Sequence, residues 1–349
     1  MQSTSVISQQ TVAIIAYRVA FALSIIRFSG DAAAEDVSSG QPREAPGKVR
    51  FVPSENEVNV APIFRLEQHI FEYQLTPVRR RWLQLVQEQT VRFPSPRATA
   101  FQCNNTVHCE YFLRKGKKPA PGVVVLHILG GDFELSRTIC RTLALNGIGA
   151  LFVKMPYYGP RRSPGKDVRM ISADLRQTTE AMQQAVLDIR RATAWLGSRP
   201  EIAQGRLGIT GISLGGVVAA LVGSAEPQLT NACLVLAGGD LEKIIRESDE
   251  LRNVRKQWDD QSIDEGEIAA RLQTVDPLTY AKQLKQRHLL MLNARKDKVI
   301  PPACSQALWE AAGKPEIEWW NADHYSAAWY LPRGLARMID FFHRSHESE

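Results

Sequence analysis

The strongest constraint on the fold of this chain is a Gly-Ile-Ser-Leu-Gly motif at residues 211–215. A short apolar run precedes the motif at 207–210, and small or apolar residues follow it at 216–222. This context predicts a buried strand, a sharp turn that carries Ser213, and a buried helix. The flanking glycines allow the strand and the helix to approach each other closely. Ser213 is therefore either a nucleophile held above a sheet or, in the alternative interpretation, a serine that caps the helix.

Apolar runs and helical patterns alternate along the chain on both sides of this motif. Besides the run before the motif, buried strands are predicted at 123–126, 150–153, 232–236, 289–292 and 317–320. Helices are predicted at 136–146, at 171–196 and near the C-terminus, and two antiparallel strands upstream at 90–93 and 106–113. Strands that are apolar throughout and alternate with helices indicate a mostly parallel sheet that is covered on both faces.

The N-terminal part of the chain differs in character from this predicted sheet. Residues 1–34 combine Arg18, a short apolar stretch and three alanines at 32–34, which predicts a signal peptide and export to the periplasm or the medium. The alternative is a disordered N-terminus on a cytoplasmic protein. Residues 35–89 are predicted to be a linker followed by a helical extension, and residues 90–349 the catalytic domain.

Composition argues against several classes of function. The 349 residues suffice for one large α/β domain with appendages. The net charge of +6 is mild and no dense Lys/Arg block occurs, so no nucleic acid partner is expected. The apolar stretch near the N-terminus is too short for stable membrane insertion. Five cysteines without a CxxC spacing argue against a zinc site, and no metal or cofactor is expected. Cys103 and Cys109 are bridged or free according to the length of the turn between them.

Polar residues follow the last two predicted strands at their carboxyl ends, the edge where open α/β sheets bind ligands. Asp297 comes after the penultimate strand and His324 after the last one. A histidine at this edge can take the proton of Ser213, and a carboxylate can orient that histidine. Ser213, Asp297 and His324 are therefore the predicted catalytic residues, with Asp240 and Asp323 as rival acids.

The turn after the strand at 123–126 reads His-Ile-Leu-Gly-Gly at 127–131. Backbone N–H groups in such a turn can hold a developing oxyanion together with the N–H that follows the nucleophile. The predicted donors are the backbone N–H groups of Leu129 and Leu214. His127 is expected to brace the turn through hydrogen bonds.

A second loop, at 156–162, follows the strand at 150–153 and should open towards the same edge. It contains Tyr157, Tyr158 and Arg161 as candidate substrate-binding residues. The arginine could pair with an acidic group of the substrate. The alternative is that these side chains pack the loop against the domain.

Together these motifs resemble the α/β-hydrolase superfamily over about residues 90–345. The glycine turn, the serine turn, the acid and the histidine follow one another in the order typical of that family. The Val-Asp-Pro-Leu segment at 275–278 is similar to the dienelactone hydrolase-like and acetyl xylan esterase-like branches. Two residues depart from the family patterns. Ile128 stands where the common oxyanion turn has glycine, and Ser213 stands where dienelactone hydrolases have cysteine.

The resemblance implies an α/β-hydrolase fold with a mostly parallel eight-stranded sheet and helices on both faces. It also implies a small helical lid, placed at 240–287 because this charged, helix-prone stretch contains no predicted strand. The function implied is a serine hydrolase that cleaves carboxylic esters of small molecules or carbohydrates through an acyl-enzyme. The alternatives are a peptidase of the same fold and a catalytically silent binding protein. The oligomeric state stays open.

Overall fold

A ten-stranded sheet runs through the residues that the computed structural model describes, which are 45–78, 85–114, 116 and 119–344. Its strands are β1 (Ala45–Phe51), β2 (His69–Val78), β3 (Val86–Pro94), β4 (Thr106–Arg114), β5 (Ala120–Leu126), β6 (Gly149–Lys154), β7 (Ile202–Ile212), β8 (Leu229–Val235), β9 (His288–Ala294) and β10 (Glu316–Trp320). The predicted signal peptide at 1–34 lies outside the described residues and stays a prediction.

The strand order is β1-β2-β3-β4-β6-β5-β7-β8-β9-β10. Strands from β6 to β10 in this order are parallel, and β1 to β4 form an antiparallel edge that joins β6. The mostly parallel sheet is thus confirmed, but its predicted size of eight strands is wrong. The order with crossovers brings the carboxyl ends of β5, β7, β9 and β10 to one edge of the sheet.

The helical extension predicted within residues 35–89 is wrong, because the described part of this segment holds β1, β2, the start of β3 and, as helices, only short 3-10 turns. Residues Phe71, Tyr73 and Leu75 alternate along β2 and pack on the main core, while Ile70 is exposed. This is a period of two, which suits a half-buried strand. Adjacent apolar residues such as Ile70 and Phe71 obscure that period in the sequence.

Helices cover both faces of the sheet. They are α1 (Phe133–Leu145), α2 (Leu175–Gly197), α3 (Leu214–Ala225), α4 (Leu241–Glu247), α5 (Arg252–Asp260), α6 (Glu265–Gln273), α7 (Pro277–Leu284), α8 (Pro302–Ala311) and α9 (Leu331–Arg344). Side chains of β5 alternate between two hydrophobic clusters: Val124 and Leu126 pack with α2 and α3, and Val123 and Val125 pack with α1 and α9. Both faces are therefore buried, which explains why the parallel strands are apolar throughout.

The stretch between β8 and β9 forms four helices, α4 to α7, in agreement with the helical insertion predicted at 240–287. Trp258 of α5 is buried and donates a hydrogen bond from Nε1 to the carbonyl oxygen of Ala173 at 2.9 Å. The carboxylate of Asp276, which caps α7, accepts hydrogen bonds from the backbone N–H groups of Asp240 and Leu241. The first contact fastens the insertion to the segment before α2, and the second ties the start of the insertion to its last helix.

The connection between β3 and β4 is longer than a two-residue hairpin. It runs through a 3-10 turn at Gln102–Asn105, which buries Asn104. Cys103 and Cys109 are both free, and Cys109 is buried within β4. No helix in the described ranges is long and apolar enough to cross a membrane.

Candidate active site

Ser213 lies on the turn between β7 and α3, with φ 57° and ψ −121°, a backbone conformation that a serine rarely adopts. Two glycines make the turn feasible. A Cβ atom at Gly211 would lie 2.2 Å from the carbonyl oxygen of Gly215, and one at Gly215 would lie 2.6 Å from that of His127. A side chain at Gly211 would therefore force the end of β7 away from the start of α3, and one at Gly215 would force α3 away from the end of β5.

Three loops bring Ser213, Asp297 and His324 together. The His324 Nε2 atom lies 3.0 Å from Ser213 Oγ, and its Nδ1 atom lies 2.7 Å from Asp297 Oδ2. Asp297 Oδ1 accepts the backbone N–H groups of Val299 and Ile300, each at 2.8 Å. An ionised carboxylate only accepts hydrogen bonds, so Nδ1 carries the imidazole proton and Nε2 is free to accept from the serine hydroxyl.

The two rival acids serve other purposes. Asp240, with φ 67°, caps α4 by accepting the Lys243 N–H at 3.1 Å. Asp323 accepts the backbone N–H groups of Tyr325 and Ser326, at 2.9 and 2.8 Å. Neither carboxylate is hydrogen-bonded to His324, whereas Asp297 is.

The turn after β5 is braced by His127, as its sequence predicts. The Met155 N–H donates to His127 Nε2 at 3.1 Å, so Nδ1 is the protonated nitrogen and donates to the carbonyl oxygen of Ile128 at 2.8 Å. Burial lowers the pKa of His127 to about 4, which keeps the ring neutral near pH 7. A neutral, fully hydrogen-bonded ring is suited to support rather than proton transfer.

Leu129 and Leu214 line the same cavity as Ser213. Leu214 is the first residue of α3, where a backbone N–H has no partner within the helix. Leu129 lies in the turn that His127 braces. Across the described residues, neither N–H donates a hydrogen bond to another protein group. Both donors are therefore available to an oxygen atom bound beside Ser213.

Arg161 is fully buried, and the prediction that it contacts the substrate is wrong. Its guanidinium pairs with Asp188 at 2.7 Å and donates to the backbone carbonyl groups of Asn104 and Lys154. The loop carbonyl groups and the buried carboxylate use these donors. The sequence places an arginine beside the site but does not indicate which way the side chain turns.

Tyr157 and Tyr158 do not line the cavity that holds Ser213. Tyr157 has φ 65°, donates its N–H to Asn104 Oδ1 and packs edge-on against Phe101. The ring of Tyr158 lies 4.5 Å from that of His127, edge to face. Both tyrosines therefore pack the loop against the domain, which was the alternative to substrate binding.

The cavity beside Ser213 has a volume of about 50 Å³ and lies between the sheet edge and the helical insertion. The insertion contributes a group of residues that the sequence does not indicate as site residues: Leu241, Ile244, Ile245, Ser248, Glu250, Leu251 and Leu272. Their position depends on how the insertion folds back over the sheet. The insertion thus forms one wall of the site, as the term lid implies.

A hydrogen bond joins this insertion to the histidine loop. Tyr325 directly follows His324 in the chain, and its hydroxyl donates to Glu250 Oε1 at 2.6 Å.

Over the described ranges, no group of three or more His, Cys, Asp or Glu side chains is arranged to hold a metal ion.

Two family models match parts of the chain. The model described as alpha/beta hydrolase domain containing 18 matches residues 104–241, and the prolyl oligopeptidase family matches 175–324. Both matched ranges include Ser213. Among curated proteins, the uncharacterised protein Rv2627c of Mycobacterium tuberculosis is 28% identical over 251 residues. That match covers 70% of this chain and 58% of the relative, so the chain spans less than two thirds of the relative's length.

Solved structures with a similar fold include two acetyl xylan esterases. The enzyme from Paenibacillus sp. R4 has a TM-score of 0.61 at 18% identity, over 77% of this chain and 88% of that chain. Acetyl xylan esterase 1 from Thermoanaerobacterium sp. JW/SL YS485 has a TM-score of 0.62 at 15% identity, over 76% and 87%. At this level of identity the likeness shows a common fold and not a common substrate.

Proposed function

This chain belongs to the α/β-hydrolase superfamily, and we propose that it is a serine hydrolase that cleaves carboxylic esters through an acyl-enzyme. The observation that carries the proposal is the pair of contacts at His324, 3.0 Å to Ser213 Oγ and 2.7 Å to Asp297 Oδ2. These distances lie within the range needed for proton transfer from the nucleophile to its base.

In the first half of the reaction, Ser213 Oγ bonds to the acyl carbon while its proton moves to His324 Nε2. The backbone N–H groups of Leu129 and Leu214 donate to the oxyanion that develops on the carbonyl oxygen. The intermediate then breaks its bond to the alcohol oxygen, which takes the proton from His324. Asp297 stays ionised and stabilises the imidazolium that exists between these two transfers.

In the second half, water gives a proton to His324 Nε2 and attacks the acyl carbon. The bond between that carbon and Ser213 Oγ breaks, and the proton returns to the serine. The products are a carboxylic acid and the original enzyme. Every step uses side chains and backbone N–H groups of this chain together with water.

The substrate class proposed is an ester with a small acyl group. The limited volume of the cavity supports this choice, and the two acetyl xylan esterases of the same fold make a carbohydrate ester one candidate. A peptidase is the second candidate function, because the prolyl oligopeptidase family matches 175–324. Comparing esters with peptide anilides under the same conditions separates the two.

The first test is labelling with a fluorophosphonate probe, with the modified peptide located by mass spectrometry. We expect the probe on Ser213 of the wild type and no labelling of Ser213→Ala. Ser224→Ala is the matched control, because Ser224 is a buried serine of α3 whose hydroxyl donates to the Ala220 carbonyl oxygen. That variant should label like the wild type. A folded wild type that does not react would contradict the proposal and favour a silent binding protein.

A further inference from the structure

The wall of the cavity beside Ser213 is almost entirely hydrocarbon. Twelve of its sixteen lining residues are leucine, isoleucine, valine or methionine, and none is lysine, arginine or histidine. The polar lining residues other than Ser213 are Thr178, Ser248 and Glu250. An apolar group gains from leaving water here, whereas an anionic group would be desolvated without a cation to compensate its charge.

The cavity is also small. A volume of about 50 Å³ admits roughly three to five groups of the size of a water molecule or a methylene, at about 10–15 Å³ each. Well-packed walls keep this limit, because Met182 of α2 and Ile244, Ile245 and Leu272 of the insertion are all buried. Packed interiors yield little to extra methylenes.

The acyl part of an ester suits this space better than the alcohol part does. The acyl group stays bonded to Ser213 between the two halves of the proposed reaction, while the alcohol must leave before water can attack. Ser213 itself is only 4% exposed. The acyl group is therefore the part of the ester that can stay in this confined cavity throughout the reaction, because it remains bonded to Ser213.

We propose that this cavity binds the acyl chain, and that it selects uncharged aliphatic acyl groups of about two to five carbons. The inference rests on the proposed function and narrows its substrate class. None of the three other polar wall residues supplies a positive charge. Glu250 accepts the Tyr325 hydroxyl, and the Thr178 hydroxyl donates to the carbonyl oxygen of Ser172 at 3.0 Å. The buried Ser248 hydroxyl is uncharged and has no hydrogen-bond partner among the described residues. Acyl groups that carry a carboxylate are excluded by the negative charge of Glu250 and by the absence of a cation among the lining residues.

The test is the ratio of kcat/KM values for p-nitrophenyl esters of increasing acyl length, from acetate to decanoate. We expect the maximum between acetate and pentanoate and a fall of at least about tenfold by octanoate, because surplus methylenes have no space. The hemisuccinate ester should react at least about tenfold more slowly than the butyrate ester, since its carboxylate is buried without a partner.

Two wall residues that are only partly buried allow the cavity to be resized with little risk to the fold. Leu251→Ala removes side-chain volume from the insertion, and Ile171→Phe adds side-chain volume on the segment before α2. The octanoate-to-butyrate ratio should rise at least about fivefold in the first variant and fall in the second. Leu75→Ala is the matched control, a partly buried leucine of β2 outside the cavity lining, and should leave the ratio unchanged.

The outcomes separate this inference from the function on which it rests. Ester turnover that needs Ser213 but peaks at octanoate or longer would overturn the acyl-length inference alone. An unchanged ratio in both wall variants would do the same. If no ester of the series is turned over in a Ser213-dependent way, the proposed function fails, and the acyl-chain inference fails with it.

Discussion

At the scale of single residues, the site depends on a backbone conformation that only its surroundings can maintain. Ser213 has a positive φ, and its N–H donates to the Val235 carbonyl oxygen at 2.9 Å while its own carbonyl accepts from Val217 at 3.0 Å. These two bonds join the serine to β8 and to α3. A conformation that costs about 1–3 kcal/mol is held in place by the packing of the strand and the helix on either side.

The role proposed for Asp297 leads to a prediction about the tautomer of His324. In Asp297→Asn, the amide can donate to Nδ1, which favours a proton on Nε2 and removes the base for Ser213. We expect kcat for a short-chain ester to fall by about 10³- to 10⁴-fold with little change in KM. Steady-state kinetics on purified variants measure this.

Asp240→Asn is the matched control, since asparagine caps helices as well as aspartate and tolerates a positive φ. Its activity should stay close to that of the wild type. The assignment of the acid is wrong if Asp297→Asn stays active while Asp240→Asn loses activity.

At the scale of elements, the turn after β5 positions the Leu129 N–H, and His127 links that turn to the end of β6. The ring donates a hydrogen bond to the carbonyl oxygen of Ile128, in the turn after β5, and accepts one from the N–H of Met155, directly after β6. It also packs edge-on against Phe133 and Tyr158. The ring can make both hydrogen bonds only when neutral, because protonated Nε2 could not accept from the Met155 N–H.

This bracing makes the stability of the fold depend on pH. Burial lowers the pKa of His127 to about 4, below its ordinary value of 6.5. The unfolded chain therefore binds more protons in this window, and stability, complete above pH 6.5, is lost as the pH falls towards 4. The loss from His127 is at most about 3.5 kcal/mol, at about 1.4 kcal/mol per pKa unit. Urea unfolding between pH 4.5 and 8 measures it.

His127→Gln should be less stable at pH 8 and should show a shallower dependence on pH than the wild type. His108, whose pKa burial also lowers to about 4, accounts for part of the slope that remains. The exposed His288 serves as the control, and His288→Gln should reproduce the wild-type curve. Equal slopes for His127→Gln and the wild type would contradict the bracing role.

At the scale of the whole molecule, a buried ionic network joins parts of the chain that are distant in sequence. The fully buried Arg190 of α2 donates to Glu57 at 2.6 and 2.8 Å and to Glu226, which follows α3, at 2.9 Å. It also donates to the carbonyl oxygen of Phe64 at 2.6 Å. The segment between β1 and β2 is thereby fastened to the helices that carry the site.

Removal of this arginine should leave the buried Glu226 without its ion-pair partner. We expect Arg190→Met to lower the free energy of unfolding by about 3–5 kcal/mol, because a carboxylate without its partner keeps its desolvation cost. Arg176→Met on the same helix is the control. Arg176 pairs with Glu180 in solvent, and its loss should leave the free energy of unfolding almost unchanged. Denaturant unfolding of both variants compares them, and similar losses would contradict the network's role.

The sequence by itself determined the parts of this protein that depend on local patterns. Apolar runs and helical spacing predict the parallel strands and their helices, because a strand that is buried on both faces is apolar at every position. The Gly-x-Ser-x-Gly turn and the ends of the last two strands then indicate Ser213, Asp297 and His324, since parallel strands present their carboxyl ends at one edge. The contacts among these three in the structure follow from that rule.

Only the tertiary structure decided the features that depend on where a side chain turns or what a segment folds against. Arg161 points inward because buried carbonyl groups and Asp188 need its donors. The strands β1 and β2 are held by antiparallel pairing with each other and with β3. The apolar wall over Ser213 comes from helices that no local pattern directs to that position. Each of these features depends on contacts between segments that are distant in sequence, and a short stretch of sequence does not indicate which distant segment it will contact.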